Sequence, residues 1–196
     1  MTLGFWYAIA AATAVLGGLA WLVKSLWILA GRGQPVLTFE VAPLFFAIAV
    51  LGVTAGSDRL EPRRRRIALT LACAGVAAGA TVVATEVAGG AWNPSVVVAA
   101  LAVLGGLLLQ DRRGSRPQRV AWWIGALLIP SVLIGGALSL LDERLLELPL
   151  AIIAVGWIWL GALLSTPNLP RTAPLSVPLR NLQRAVLLRE PTQAPP

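Results

Sequence analysis

Residues 3–29 read LGFWYAIAAATAVLGGLAWLVKSLWIL, a run in which Lys24 is the only charged side chain. A helix rises 1.5 Å per residue, so about 20 mainly apolar residues cross a hydrocarbon core of about 30 Å, and this run is long enough. Aromatic residues stand near its two ends, Phe5-Trp6-Tyr7 and Trp27, where interfacial belts belong. No basic segment precedes it, and it is longer than the roughly 7 to 15 apolar residues of a signal core. It is therefore expected to stay as a membrane helix and not to be cleaved.

Five further apolar runs follow, at 36–55, 67–88, 94–109, 120–140 and 145–164. The fourth is the shortest. Trp92 is placed for an interface, and Asn93-Pro94 reads as an N-cap followed by proline at the first helical position. The connections are short and polar, so none of them can be a separate domain. The expected fold class is all-α: an integral membrane bundle of six transmembrane helices within residues 1–165, followed by a proline-rich tail over 166–196.

Composition supports the same class. Of 196 residues, 57% are apolar and 13% charged, against about 45 to 50% and about 25% in soluble domains. A water-facing globule of this size lacks the polar surface to cover itself, and disorder requires low hydrophobicity. The single cysteine, Cys73, rules out a disulfide scaffold.

The basic residues are sorted by side. Arg59, Arg63, Arg64, Arg65, Arg66, Arg112, Arg113, Arg116 and Arg119 fall on one side of the six runs, with Arg171, Arg180, Arg184 and Arg189 of the tail. Lys24, Arg32 and Arg144 fall on the other. By the positive-inside rule both termini are expected in the cytoplasm. The formal charge of +7 is thus a topology signal. The basic residues carry no interleaved aromatic platform, so no nucleic-acid partner is expected. Arginine-rich, lysine-poor usage suggests a GC-rich bacterium, and the charge bias its inner membrane.

The inventory limits the chemistry. There is no histidine, which removes histidine-ligated haem, the common histidine-bearing zinc and copper sites, and Ser-His or Cys-His nucleophiles. No phosphate-cradling glycine loop and no G-x-S-x-G elbow is present. No enzyme activity, catalytic residue, metal or cofactor is expected.

Ionisable residues at membrane depth are functional candidates by default. Three lie near the outer boundary: Lys24, Glu40 and Glu86. They are expected to form one outward layer, in which Lys24 pairs with Glu40 or Glu86 to close or line a pocket, or in which each side chain snorkels to the interface. Asp142, Glu143 and Glu147 add acidity on the same side. Small-residue faces suited to close helix packing occur at Ala10, Ala14 and Gly18, at Gly75 and Gly79, and at Ser131, Gly135 and Ser139. Pro130 frees the carbonyl of Ala126 and is expected to kink the fifth helix.

In the tail, Pro167, Pro170, Pro174 and Pro178 favour an extended chain. Leu179, Leu182 and Val186 then share a helical face beside Arg180 and Arg184. A short basic amphipathic helix is expected at about 178–190, on the inner leaflet or on a cytoplasmic partner. Taken together, the expected function is that of a non-catalytic polytopic membrane protein, an accessory, assembly or interaction subunit. Its expected partners are the lipid bilayer and other membrane subunits or a homo-oligomer. The alternative is a small solute-binding transport component with an outward-facing site near Lys24, Glu40 and Glu86.

Overall fold

A computed structural model of the chain describes residues 3–33, 35, 38–57, 60–89 and 93–166, without the side chains of residues 3 and 38–40. The tail helix expected at 178–190 and Trp92 lie outside the described residues. Six α-helices run in order: α1 (Leu3–Leu29), α2 (Thr38–Ala55), α3 (Pro62–Val87), α4 (Ser95–Leu108), α5 (Arg116–Ser139) and α6 (Glu147–Ser165), the last preceded by a 3₁₀ turn at Glu143–Leu146. No strand occurs among the described residues. Four helices, α1, α3, α5 and the segment Glu143–Ser165, are long and apolar enough to cross a membrane; Val41–Ala55 and Ser95–Leu108 are shorter apolar helices.

Local sequence explains where several helices begin and end. Gly31, at φ 78°, takes the left-handed conformation that closes α1. Its N–H donates to Ile28 O at 2.9 Å and the Arg32 N–H to Trp27 O at 3.2 Å, the two bonds of a Schellman ending. The Arg32 guanidinium then lies 4.5 Å from the Trp27 ring centroid. Pro62 opens α3, where its missing N–H costs nothing. As a result Arg63 to Arg66 stand on helical turns, not in the preceding connection. Asn93 Oδ1 accepts from the Ser95 N–H at 2.9 Å and so satisfies one orphan donor at the start of α4. Its Nδ2 donates to Thr85 Oγ1 at 2.6 Å, tying the end of α3 to the start of α4.

Consecutive helices pack antiparallel, and α6 returns to lie along α1. α2 is central, touching α1, α3, α4 and α5. The interfaces are close because small residues meet backbone. A Cβ on Gly52 would stand 2.7 Å from Trp6 O and from Ala10 Cβ, and one on Gly79 would stand 2.9 Å from Leu44 Cα. Between α1 and α6 the notches are reciprocal. A Cβ on Gly18 would lie 2.8 Å from Ala154 O, and one on Gly161 would lie 2.7 Å from Ala11 O.

The interior combines many alanines and valines with Leu107, Ile124, Ile153, Leu160 and Leu164 and one aromatic stack. Phe46 and Trp157 lie parallel at 4.3 Å between centroids, and Trp21 leans on Phe46 at 5.2 Å. The periphery carries the large apolar side chains, among them Leu16, Leu101, Trp123, Leu133, Ile152 and Trp159. So many bulky hydrophobes left exposed around a packed interior depart from the surface of a water-soluble bundle.

Candidate functional site

Two buried polar clusters occupy opposite ends of the bundle. At one end Lys24 and Ser25, adjacent near the end of α1, both reach the carboxylate of Glu147 in the first turn of α6. Lys24 Nζ lies 2.6 Å from Glu147 Oε1, and Ser25 Oγ donates to Oε2 at 2.8 Å. Lys24 and Glu147 are each 4% exposed and Ser25 is fully buried. The start of α6 favours a negative charge through the helix dipole. With both oxygens of the carboxylate bonded, the charges compensate each other away from water, which a buried pair requires.

The three residues singled out from the sequence are placed differently from one another. Lys24 is brought to Glu147. Glu86 is half-buried near the end of α3. Among the described residues α3 packs on α2 and α4, whereas α1 packs on α2 and α6, so Glu86 stands on a helix that α1 does not touch. The side chain of Glu40 lies outside the described residues. Sequence reasoning missed Glu147 and Ser25 as partners. The available signal was a carboxylate opening an apolar run at the same level as the only lysine.

The small-residue positions are found at helix contacts to different degrees. Ala10 and Ala14 are fully buried; Ala10 faces Gly52 of α2, and Gly18 faces Ala154 and Ile158 of α6. Gly75 meets Ala47 and Ala102, and Gly79 meets Leu44. On α5, Gly135 is buried against Leu146 and Pro149, while Ser131 and Ser139 are half-buried. Ser139 Oγ donates to Gly136 O of its own helix at 2.7 Å. Pro130 lies on the exposed side of α5, which continues through it to Ser139.

The second cluster lies at the arginine end, where α2 and α4 finish and α5 starts. Gln110 Nε2 donates to Thr54 Oγ1 at 2.8 Å and to Gly106 O at 3.0 Å. Gln118 Nε2 donates to Ser57 Oγ; its Oε1 accepts from Ser115 N–H at 2.8 Å, holding the first turn of α5. All four of Thr54, Ser57, Gln110 and Gln118 are buried. Arg65 Nη2 donates to Ala55 O at 3.0 Å and Tyr7 Oη to Gly56 O, covering carbonyls that the end of α2 leaves open. Beside this cluster a cleft of about 300 Å³ is lined by Arg64, Gln110, Asp111, Arg112, Arg113 and Trp122.

Among the described residues no three His, Cys, Asp or Glu side chains gather as a metal-binding group. Cys73 is exposed on α3. The chain matches no known protein family model, no curated protein and no solved structure.

Proposed function

We propose that the protein is a non-catalytic multi-pass membrane protein that serves as an accessory or assembly subunit of a membrane complex. All six helices cross the bilayer in this reading. The arginine end faces the cytoplasm, and the Lys24–Glu147 end faces outward. The apolar periphery then faces lipid, with the short α2 packed among α1, α3, α4 and α5, and the short α4 lying against α2, α3 and α5 with Leu101 on its outer face.

The observation that carries the reading is the occupied Lys24–Ser25–Glu147 cluster. Its charged groups are bonded to one another across α1 and α6 and withdrawn from solvent. That geometry braces two helices, and it favours the accessory reading over solute binding at Lys24, which would need an accessible ammonium group. What the protein offers to other molecules is then its apolar flank and its arginine surface. A bacterial inner membrane is the location that fits the arginine bias.

The test is isolation of the full chain from its own membrane in a mild detergent, followed by mass measurement of the intact particle. A defined stoichiometric assembly, with other membrane subunits or with further copies of the chain, is the expected result. A monomer that co-isolates with no protein overturns the accessory reading. Stabilisation of that monomer by one small solute, lost in Lys24→Met, would favour the transport alternative.

A further inference from the structure

The cleft at the arginine end has an unbalanced charge. Arg64 reaches it from the first turn of α3, and Arg112 and Arg113 come from the α4–α5 connection. Against these three guanidinium groups stands one carboxylate, Asp111, whose Oδ1 accepts from the Arg113 backbone N–H at 2.9 Å. Among the described residues none of the three arginines belongs to an ion pair. Such a concentration of cations around a concave surface suits a phosphate, which guanidinium groups bind through paired N–H donors.

A second feature narrows the ligand. Gln110 is 1% exposed and also lines the cleft. Its amide orientation is fixed, because Nε2 faces the Gly106 carbonyl, which can only accept. Its Oε1 is buried and accepts from no donor in the protein, a costly arrangement that a donor placed in the cleft would relieve. A phosphodiester cannot donate; a hydroxyl beside it can. Trp122, half-buried at the cleft, is the type of side chain that sits at the level of lipid headgroups. Trp123 and Leu127 follow it as exposed apolar residues on α5, offering a path for acyl chains.

We propose that this cleft binds the phosphoglycerol headgroup of an anionic phospholipid. The phosphodiester lies among Arg64, Arg112 and Arg113, and a glycerol hydroxyl donates to Gln110 Oε1. This inference rests on the membrane-spanning reading above, and it adds a discrete lipid site to it.

The experiment measures lipid retained by the purified full chain in a neutral detergent, using intact-particle mass spectrometry. Added lipids are phosphatidylglycerol, phosphatidylcholine and phosphatidylmethanol, which is anionic but has no headgroup hydroxyl; inorganic phosphate is the competitor. Micelles of neutral detergent have no surface potential, so retention reports a site. Phosphatidylglycerol is expected to be held and phosphatidylcholine not. Losing a hydroxyl contact should weaken phosphatidylmethanol about threefold to tenfold relative to phosphatidylglycerol.

The variant Arg112→Gln/Arg113→Gln should weaken phosphatidylglycerol about tenfold or more, while the charge-matched Arg63→Gln/Arg66→Gln, outside the cleft, stays within about twofold. Arg64→Gln supplies a second test from a different element, with a loss of about threefold or more. Equal loss in the two double variants, equal retention of the three lipids, or displacement of the lipid by inorganic phosphate would overturn the proposal. A chain that stays soluble without detergent would overturn the membrane reading itself, so the two failures are distinct.

Discussion

Lys24 Nζ and Glu147 Oε1 are separated by 2.6 Å in space and by 123 positions in the chain, and both side chains are buried. Removing Lys24 leaves the Glu147 carboxylate buried without its cationic partner. Lys24→Met is therefore expected to destabilise the protein by about 3 to 5 kcal/mol, whereas Lys24→Met/Glu147→Met should recover most of that loss. Denaturant unfolding in detergent of the wild type, both single variants and the double variant gives the coupling energy. Additive losses would show that the pair does not hold α1 to α6.

Neighbouring glycines on α5 should respond with opposite sign. A Cβ on Gly135 would lie 2.9 Å from Leu146 Cδ1 and 3.1 Å from Leu146 O, while one on Gly136 meets nothing within 4 Å. Gly135→Ala is expected to cost about 1 to 3 kcal/mol through overpacking. Gly136→Ala should be neutral or stabilising by up to about 1 kcal/mol from helix propensity alone. Thermal melts of the two variants check this, and a loss at Gly136 would reveal a contact made on that open face.

The buried glutamines differ in how completely they are bonded. Gln118→Leu deprives Ser57 and the Ser115 N–H of their partner, and should cost about 1 to 3 kcal/mol. Gln110→Leu removes the bonds to Thr54 and to Gly106 O together with an unsatisfied oxygen. Thr54 keeps its own bond to Val50 O at 2.7 Å, so the net cost should be below about 1 kcal/mol. Unfolding curves that rank Gln110→Leu as the worse variant would contradict this account of the cluster.

Orientation can be read with one reactive group at a time. Cys73 is the only cysteine and is replaced by alanine to give a silent background. Arg113→Cys and Asp142→Cys are exposed positions at opposite ends of the bundle. In sealed cells a membrane-impermeant thiol reagent should label the variant at 142 and spare the one at 113, and inverted vesicles should show the opposite. Labelling of both from one side would disprove the six-span arrangement.

The helices were legible because each apolar run is bounded by charge, proline or glycine, and four of the helices are long enough to cross a membrane. Gly31 and Asn93-Pro94 act at helix ends through local bonds that neighbouring residues determine. Partnership across the bundle was not legible. Lys24 carries no mark distinguishing Glu86 from Glu147; its contact with Glu147 follows from α6 lying along α1, where Gly18 and Gly161 form reciprocal notches. Those notches use Ala11 and Gly18, while Ala10 of the same small-residue stripe faces Gly52 of α2, because a helix between two neighbours buries more than one face. The start of α3 was obscured for another reason. Its arginines look like loop, yet Pro62 begins a helix that carries them into the bundle's end.

The closure of α6 onto α1 also orders events in time. At about 5 to 20 residues per second, synthesis of the 123 residues between Lys24 and Glu147 takes about 6 to 25 s. Throughout that interval α1 is already made and Lys24 lacks the Glu147 carboxylate. The Lys24–Glu147 contact can form only once the start of α6 has been made. A nascent chain stalled before residue 147 would lack both the Glu147 carboxylate that meets Lys24 and the α6 backbone that meets Gly18.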